Sequence, residues 1–160
     1  MGAILSPSGR YRYLLWRELT KQRVSIRRTC LFIMLNPSTA DAEYDDPTIR
    51  RCKSFALREH CDRLEVVNLF AYRATNPDAL KVISREVAFG PKNLEYIQQA
   101  THTAEVIIAG WGALGARYGM DKYILKLIDR PVYCLGKTMH GMPRHPLYVS
   151  NDQPLELFKP

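Results

Sequence analysis

"FIMLNPSTADAEYDDPTIRRC", Phe32 to Cys52, changes character at Asn36: four apolar residues give way to a segment crowded with Asn, Pro, Ser, Thr and Asp. With Cys30 and Leu31 ahead of it, "CLFIMLN" is a continuous apolar run of strand length, as expected for a central strand covered on both faces. Beyond the polar segment, Asp46 is placed to cap a helix and Pro47 suits its first position. Ile49, Cys52, Phe55 and Ala56 then recur at helical spacing. The stretch therefore reads as buried strand, polar loop, helix.

The same alternation continues towards the C-terminus. "RLEVVNLFAY" predicts a second buried strand, "ATNPDALKVIS" a loop and short helix, and "KNLEYIQQATHTA" a longer helix. "EVIIAGWG" predicts a third strand, "ALGARYGMDKYILKLID" a helix weakened by Gly115 and Gly119, and "PVYCLG" a fourth strand. Alternating strands and helices imply an α/β fold, a three-layer α/β/α arrangement around a central four-stranded parallel sheet. "RYRYLLWREL" and "VSIRRT", separated by "TKQR", add an N-terminal β-hairpin. The tail "KTMHGMPRHPLYVSNDQPLELF" reads as irregular, with a short terminal helix. Without an internal repeat or linker, residues 1–160 form a single α/β domain.

The chain has 160 residues, 46% hydrophobic and 24% charged, and no apolar run approaching the ~20 residues that span a bilayer. Its N-terminus lacks the apolar region of a secretory signal. Cys30, Cys52, Cys61 and Cys134 show neither C-x-x-C pairs nor a disulfide framework. These features predict a cytoplasmic protein with no membrane association, and no protein partner can be inferred from them. The net charge of +7 is concentrated: Arg10, Arg12, Arg17, Lys21, Arg23, Arg27 and Arg28 face a single acid, Glu18, within the first thirty residues. Such an element suits phosphate backbones. It equally suits a sheet edge guarded by charge against aggregation.

In open parallel sheets, ligands bind beyond the carboxyl ends of the strands. Asn36, Ser38 and Thr39 follow the first central strand, Asn68, Tyr72 and Arg73 the second, Trp111 the third, and Lys137, His140 and His145 the fourth. Their convergence on one edge is the signal, since each alone has a structural explanation. Asn68 lies within an apolar strand, where its amide must find hydrogen bonds; it either ties neighbouring loops or reads a ligand. His145, before Pro146, is either held over a pocket or merely structural.

No cofactor is implied. "GWGALG", Gly110 to Gly115, matches G-x-G-x-x-G, but it follows the third central strand, and the next strand ends "CLGK" without an acidic residue to hold a ribose. His140 and His145 are five apart with no Cys or Glu completing a ligand set, so no metal site is expected.

"MLNPSTADAEYDDPTIRRC", "VVNLFAYRATNP", "FGPKN", "AGWG" and "GMPRHPLYVS", in that order, resemble the bacterial and phage domain-of-unknown-function family 1643, which carries no established activity. More distantly, "LNPS" resembles the Gly-x-Asn-Pro-Gly motif of the uracil-DNA glycosylase superfamily, and "HPLYVS" its His-Pro-Ser-Pro-Leu-Ser loop. "VVNLF" resembles the strand whose Asn recognises the flipped pyrimidine, and "IIAGWG" the strand leading to the last helix. Ser38 stands where the first motif has Gly, and Leu147 where the second has Ser.

This resemblance implies a nucleobase N-glycosidase or DNA glycosylase-like enzyme with nucleic acid or a nucleotide as partner. Asn36 would hold a water against the sugar C1′, with Asp46 a second group for orienting it, and His145 would stabilise charge on the departing base. Asn68 would bond the base edge, with Ser38, Thr39, Tyr72, Arg73, Trp111 and His140 as further ligand contacts. Arg10, Arg12, Arg27, Arg28 and Arg144 would meet phosphates. Two alternatives stay open: a non-catalytic nucleic-acid or nucleotide-binding module, which the two differing motif positions favour, and an enzyme acting on free nucleotides.

Overall fold

The computed structural model describes residues 1–21 and 26–159. Seven strands form one mixed sheet: β1 (Gly2–Leu5), β2 (Arg12–Glu18), β3 (Thr29–Met34), β4 (Arg63–Asn68), β5 (Val106–Ala109), β6 (Tyr133–Cys134) and β7 (Glu156–Leu157). Among the described residues, four α-helices accompany them: α1 (Pro47–Arg58), α2 (Arg85–Phe89), α3 (Asn93–Thr103) and α4 (Met120–Leu125). The spatial order is β1-β2-β4-β3-β5-β6-β7. β4, β3, β5 and β6 run parallel, while β2 pairs antiparallel with β4 and β7 with β6.

β3 is central because all six of its residues are buried, which suits a strand with neighbours on both edges and cover on both faces. Alternation divides its side chains. Leu31 and Ile33 join Val67, Ile107 and Ala109 in a core closed by Ile97 and Ala100 of α3 and Met120 and Ile124 of α4. Cys30, Phe32 and Met34 join Leu64, Val66 and Ile108 in a second core, closed by Ile49, Cys52, Phe55 and Ala56 of α1. Truncating fully buried Phe32 to Ala is expected to lose about 3–5 kcal/mol.

The chain leaves β3 through α1 to reach β4 on one side, then passes through α3 to β5 on the other. The two connections cover opposite faces and move in opposite directions along the sheet, as right-handed crossovers require. The carboxyl end of β3 is thus a point where strand order reverses, leaving a crevice between diverging loops.

α1 starts as the sequence predicts: Asp46 Oδ1 accepts from the Ile49 N–H at 2.8 Å, with Pro47 in the first position. Three expectations need correction. The parallel strands belong to a seven-stranded mixed sheet. The N-terminal hairpin pairs β1 with β2, and Ile26 to Arg28 are not strand; residues 22–25 lie outside the described residues. "GAIL" takes the edge because pairing is decided by tertiary packing more than by the β-propensity of "VSI". The terminal helix is absent: "LELF" supplies β7, whose two-residue pairing with β6 is too short to announce itself in sequence.

The helix expected after β5 is broken. A 3-10 segment, Ala113–Gly119, loses helical geometry at Arg117 and Tyr118, and α4 starts only at Met120. Tyr118 takes a left-handed backbone, φ +57°, which disfavours a side chain. Its hydroxyl donates to the Ile83 carbonyl at 2.7 Å, and the neighbouring Arg117 guanidinium donates to Lys81 O at 2.7 Å. All four cysteines are buried free thiols.

Candidate functional site

A cavity of about 340 Å³ opens at the carboxyl ends of β3, β4 and β5. Asn36 comes from the loop after β3, Asn68 from the last position of β4, and Trp111 from just beyond β5. Asp46 and Thr48 come from the start of α1, and His145 from the loop before a 3-10 turn at Pro146–Tyr148. Residues separated by more than a hundred positions therefore border one space.

Asn68 is 1% exposed, yet neither Oδ1 nor Nδ2 has a hydrogen-bond partner. A buried amide with both ends unpaired is unfavourable by roughly 1–3 kcal/mol per group. Asn68 lies opposite Met34 in the β3–β4 register, on the α1 face of the sheet, where it borders the cavity. Its main chain is held from the other face: Asn93 Nδ2, at the start of α3, donates to Asn68 O at 2.9 Å and Leu69 O at 3.3 Å. Trp111 is likewise buried on the cavity wall with its indole N–H unpaired.

Asn36 is oriented by its own bonds. Nδ2 donates to Ala74 O at 2.8 Å and Pro37 O at 3.1 Å. Because both partners are carbonyls, the NH₂ end is assigned, and Oδ1 remains as an acceptor. His145 is similarly defined: Nδ1 accepts from the Leu147 N–H at 3.2 Å, so the neutral ring carries its proton on Nε2. Burial lowers the His145 pKa, against an opposing pull from the Asp46 carboxylate, which favours that neutral donor. The Tyr148 ring lies 5.5 Å from the imidazole, centroid to centroid.

The histidine loop is tied to α1 by two arginines. Arg51 Nε donates to Pro146 O at 3.3 Å, and its Nη atoms reach Val149 O and Asn151 Oδ1. Arg58 donates to Asn151 O at 2.9 Å and Gln153 O at 2.6 Å. The polar loop Asp41–Asp45 is held by Arg17, which is fully buried on β2.

Of the residues singled out from the sequence, Arg12, Asn36, Ser38, Asp46, Asn68, Trp111 and His145 border the cavity. Thr39, Tyr72, Arg73 and His140 do not. Thr39 is exposed, and Tyr72 packs edge-on against Tyr11 at 6.1 Å. Arg73 donates to Gly9 O at 3.2 Å, and His140 is exposed in the turn closed by Gly141 N–H and Thr138 O.

The basic residues are dispersed. Arg12 is buried in the cavity wall instead of standing on an exposed hairpin, because the loop carrying Ala40 folds over it. Arg27 is ion-paired with Glu18, and Arg144 donates to Tyr148 O at 2.6 Å. Arg10 and Arg28 remain exposed. Thr48, Thr75 and Tyr148 also border the cavity without having been singled out. Tyr148 was legible within "HPLYVS", whereas Thr48 and Thr75 carry no distinguishing pattern.

"GWGALG" has a packing explanation. A Cβ at Gly115 would lie 1.9 Å from Trp111 Cδ1, and one at Gly110 would lie 2.9 Å from Met34 Sδ. Gly112 turns with φ +70° and donates its N–H to Pro143 O at 3.0 Å. These glycines serve the indole and the surrounding loops.

Fold and site together define an α/β protein with a cavity of mixed polar and apolar lining at the reversal point of its parallel strands. The chain belongs to the family described as Protein of unknown function (DUF1643), whose model matches residues 12–147. No curated protein and no solved structure matches it significantly. Among the described residues, no helix is long and apolar enough to cross a membrane.

Proposed function

We propose that the cavity binds a nucleobase and that the protein is a glycosylase-like hydrolase of N-glycosidic bonds, on an α/β layout akin to the uracil-DNA glycosylase superfamily. The observation carrying this reading is the Asn68 amide, buried, unpaired at both ends and bordering the same cavity as Asn36 and His145. An amide offers one donor and one acceptor side by side, which matches the mixed hydrogen-bonding edge of a base removed from its stack.

Asn36 Oδ1 would accept a hydrogen bond from water and aim its oxygen at C1′, with the Asp46 carboxylate as a second orienting group. Positioning suffices where the sugar is already cationic as the bond loosens. Water adds its hydroxyl to C1′, the C1′–N bond breaks with its electron pair leaving on the base, and the released proton balances the base anion. His145 Nε2–H would stabilise that anion as a preorganised neutral donor.

A binding module without catalysis is the second reading. Ser38 and Leu147 border the cavity at the two positions where the chain departs from the glycosylase motifs. One experiment separates the two. Duplex and single-stranded oligonucleotides carrying uracil, mismatches or modified bases are incubated with protein, then treated with alkali to reveal abasic sites. Strand cleavage that is lost in a folded Asn36→Ala variant supports hydrolysis. Tight binding without cleavage across the panel supports the binding module, and neither binding nor cleavage rejects both.

A further inference from the structure

Two arginines of β2 are buried to nearly the same degree and are treated in opposite ways. Arg17, 1% exposed, places Nε on Asp45 Oδ1 at 2.6 Å and its Nη atoms on the carbonyls of Gly2, Trp16, Asp41 and Tyr44. The Arg12 side chain, on a residue 3% exposed, makes one hydrogen bond among the described residues, from Nη1 to Ala40 O at 2.7 Å. Its Nε is buried without a partner, and among the described residues it forms no ion pair.

A buried guanidinium is normally matched by an anion, because uncompensated charge away from water is strongly unfavourable. Burial lowers the Arg12 pKa to about 10, which leaves it charged at neutral pH. Arg17 and Arg73 add like charge nearby, and Asp46 is the carboxylate that opposes them. One Asp46 oxygen is already committed to capping α1. The amino end of α1 meets the same cavity through Thr48 and Ile49, adding the positive end of a twelve-residue helix. The missing counter-charge therefore belongs in the cavity.

We infer that Arg12 is an anion-binding element of the cavity, receiving a phosphate ester of the nucleotide whose base lies against Asn68. The identity of the base-bearing part rests on the function proposed above; the need for an anion does not. A planar guanidinium fork suits phosphate oxygens. The volume of about 340 Å³ lies at the lower end of the range of small-molecule pockets, roughly 300–1,000 Å³, and suits a compact ligand such as a nucleoside monophosphate.

The test is calorimetric titration of the full chain with inorganic phosphate, the common nucleosides, their 5′-monophosphates and a short single-stranded oligonucleotide. At least one monophosphate is expected to bind ten-fold or more tightly than its nucleoside, with phosphate competing. Arg12→Gln should erase that difference, and Arg12→Lys should restore part of it. If the oligonucleotide replaces the mononucleotide with the same Arg12 dependence, the phosphate belongs to a strand.

Nucleosides and monophosphates binding equally to the wild-type protein would overturn the anion site while sparing the base-binding reading. Phosphate binding that depends on Arg12, with no preference for any nucleoside, would do the reverse. Absence of all binding would reject both. If Arg12→Gln fails to fold, the wild-type comparison of nucleoside with monophosphate still decides the matter.

Discussion

The side-chain amide of Asn93 donates to the main-chain carbonyl of Asn68 at 2.9 Å, linking the start of α3 to the end of β4. Asn93 is fully buried and also reaches Leu69 O at 3.3 Å. The two carbonyls lie at and just beyond the last residue of β4, where a side chain at the start of a helix on the opposite face supplies their donors. Removing this side chain leaves the carbonyls unpaired in the interior. Asn93→Ala is expected to destabilise the fold by about 1–3 kcal/mol. Denaturant unfolding measures this, and a change below a few tenths of a kcal/mol would show that the link is dispensable.

Asn68 itself should behave in the opposite way. Its amide is unpaired on both atoms, so an apolar side chain of similar size removes an unfavourable burial. Asn68→Leu is expected to raise unfolding stability by about 1 kcal/mol while abolishing ligand binding. Such a trade-off marks a residue kept for recognition. Loss of stability in this variant would instead assign the amide a structural role.

The acid behaviour of the site follows from His145, whose pKa burial depresses despite Asp46. With a folded-state value below the unfolded one of about 6.5, protonation favours the unfolded chain. The stability this group contributes is full above about pH 6.5 and is lost as pH falls through the depressed value. Ring titration followed by NMR should therefore show an inflection below 6.5. Asp46→Asn keeps a capping side chain and should move the inflection lower still, because the opposing carboxylate is gone.

Arg17 closes the polar loop against β2. Burial alone would raise the Asp45 carboxyl, yet hydrogen bonds from Lys53 and Arg17 hold it below its ordinary range. Arg17→Met would leave Asp45 with Lys53 alone and withdraw a donor from four carbonyls. A loss of about 3–5 kcal/mol is expected, together with faster proteolysis within Asp41–Asp45. An unchanged melting temperature would refute the clamp.

The parts of this molecule written in the sequence are those where local and global demands agree. The apolar run of β3 and the Asp46–Pro47 start of α1 are visible because one requires double cover and the other supplies its own cap. Asn36, Asn68 and His145 stood out as polar residues at strand ends or in a constrained loop. Arg12 was visible only as one of the N-terminal basic residues; its place in the cavity wall was not, because its burial depends on the loop carrying Ala40, twenty-eight positions away, folding across it. The choice of β1 as the partner of β2, and the short β7, were hidden for the same reason: edge pairing is settled between distant segments. The break at Tyr118 rests on contacts to Lys81 and Ile83 that nothing local announces.

The contact between Gly115 and the Trp111 indole makes position 115 a remote dial on the recess. A single methyl group there would displace the ring from the wall it shares with Asn68, and the disturbance would be felt as altered fit for whatever occupies the hollow. Under the proposed base-binding role, shape selectivity would thus extend to a residue that has no side chain.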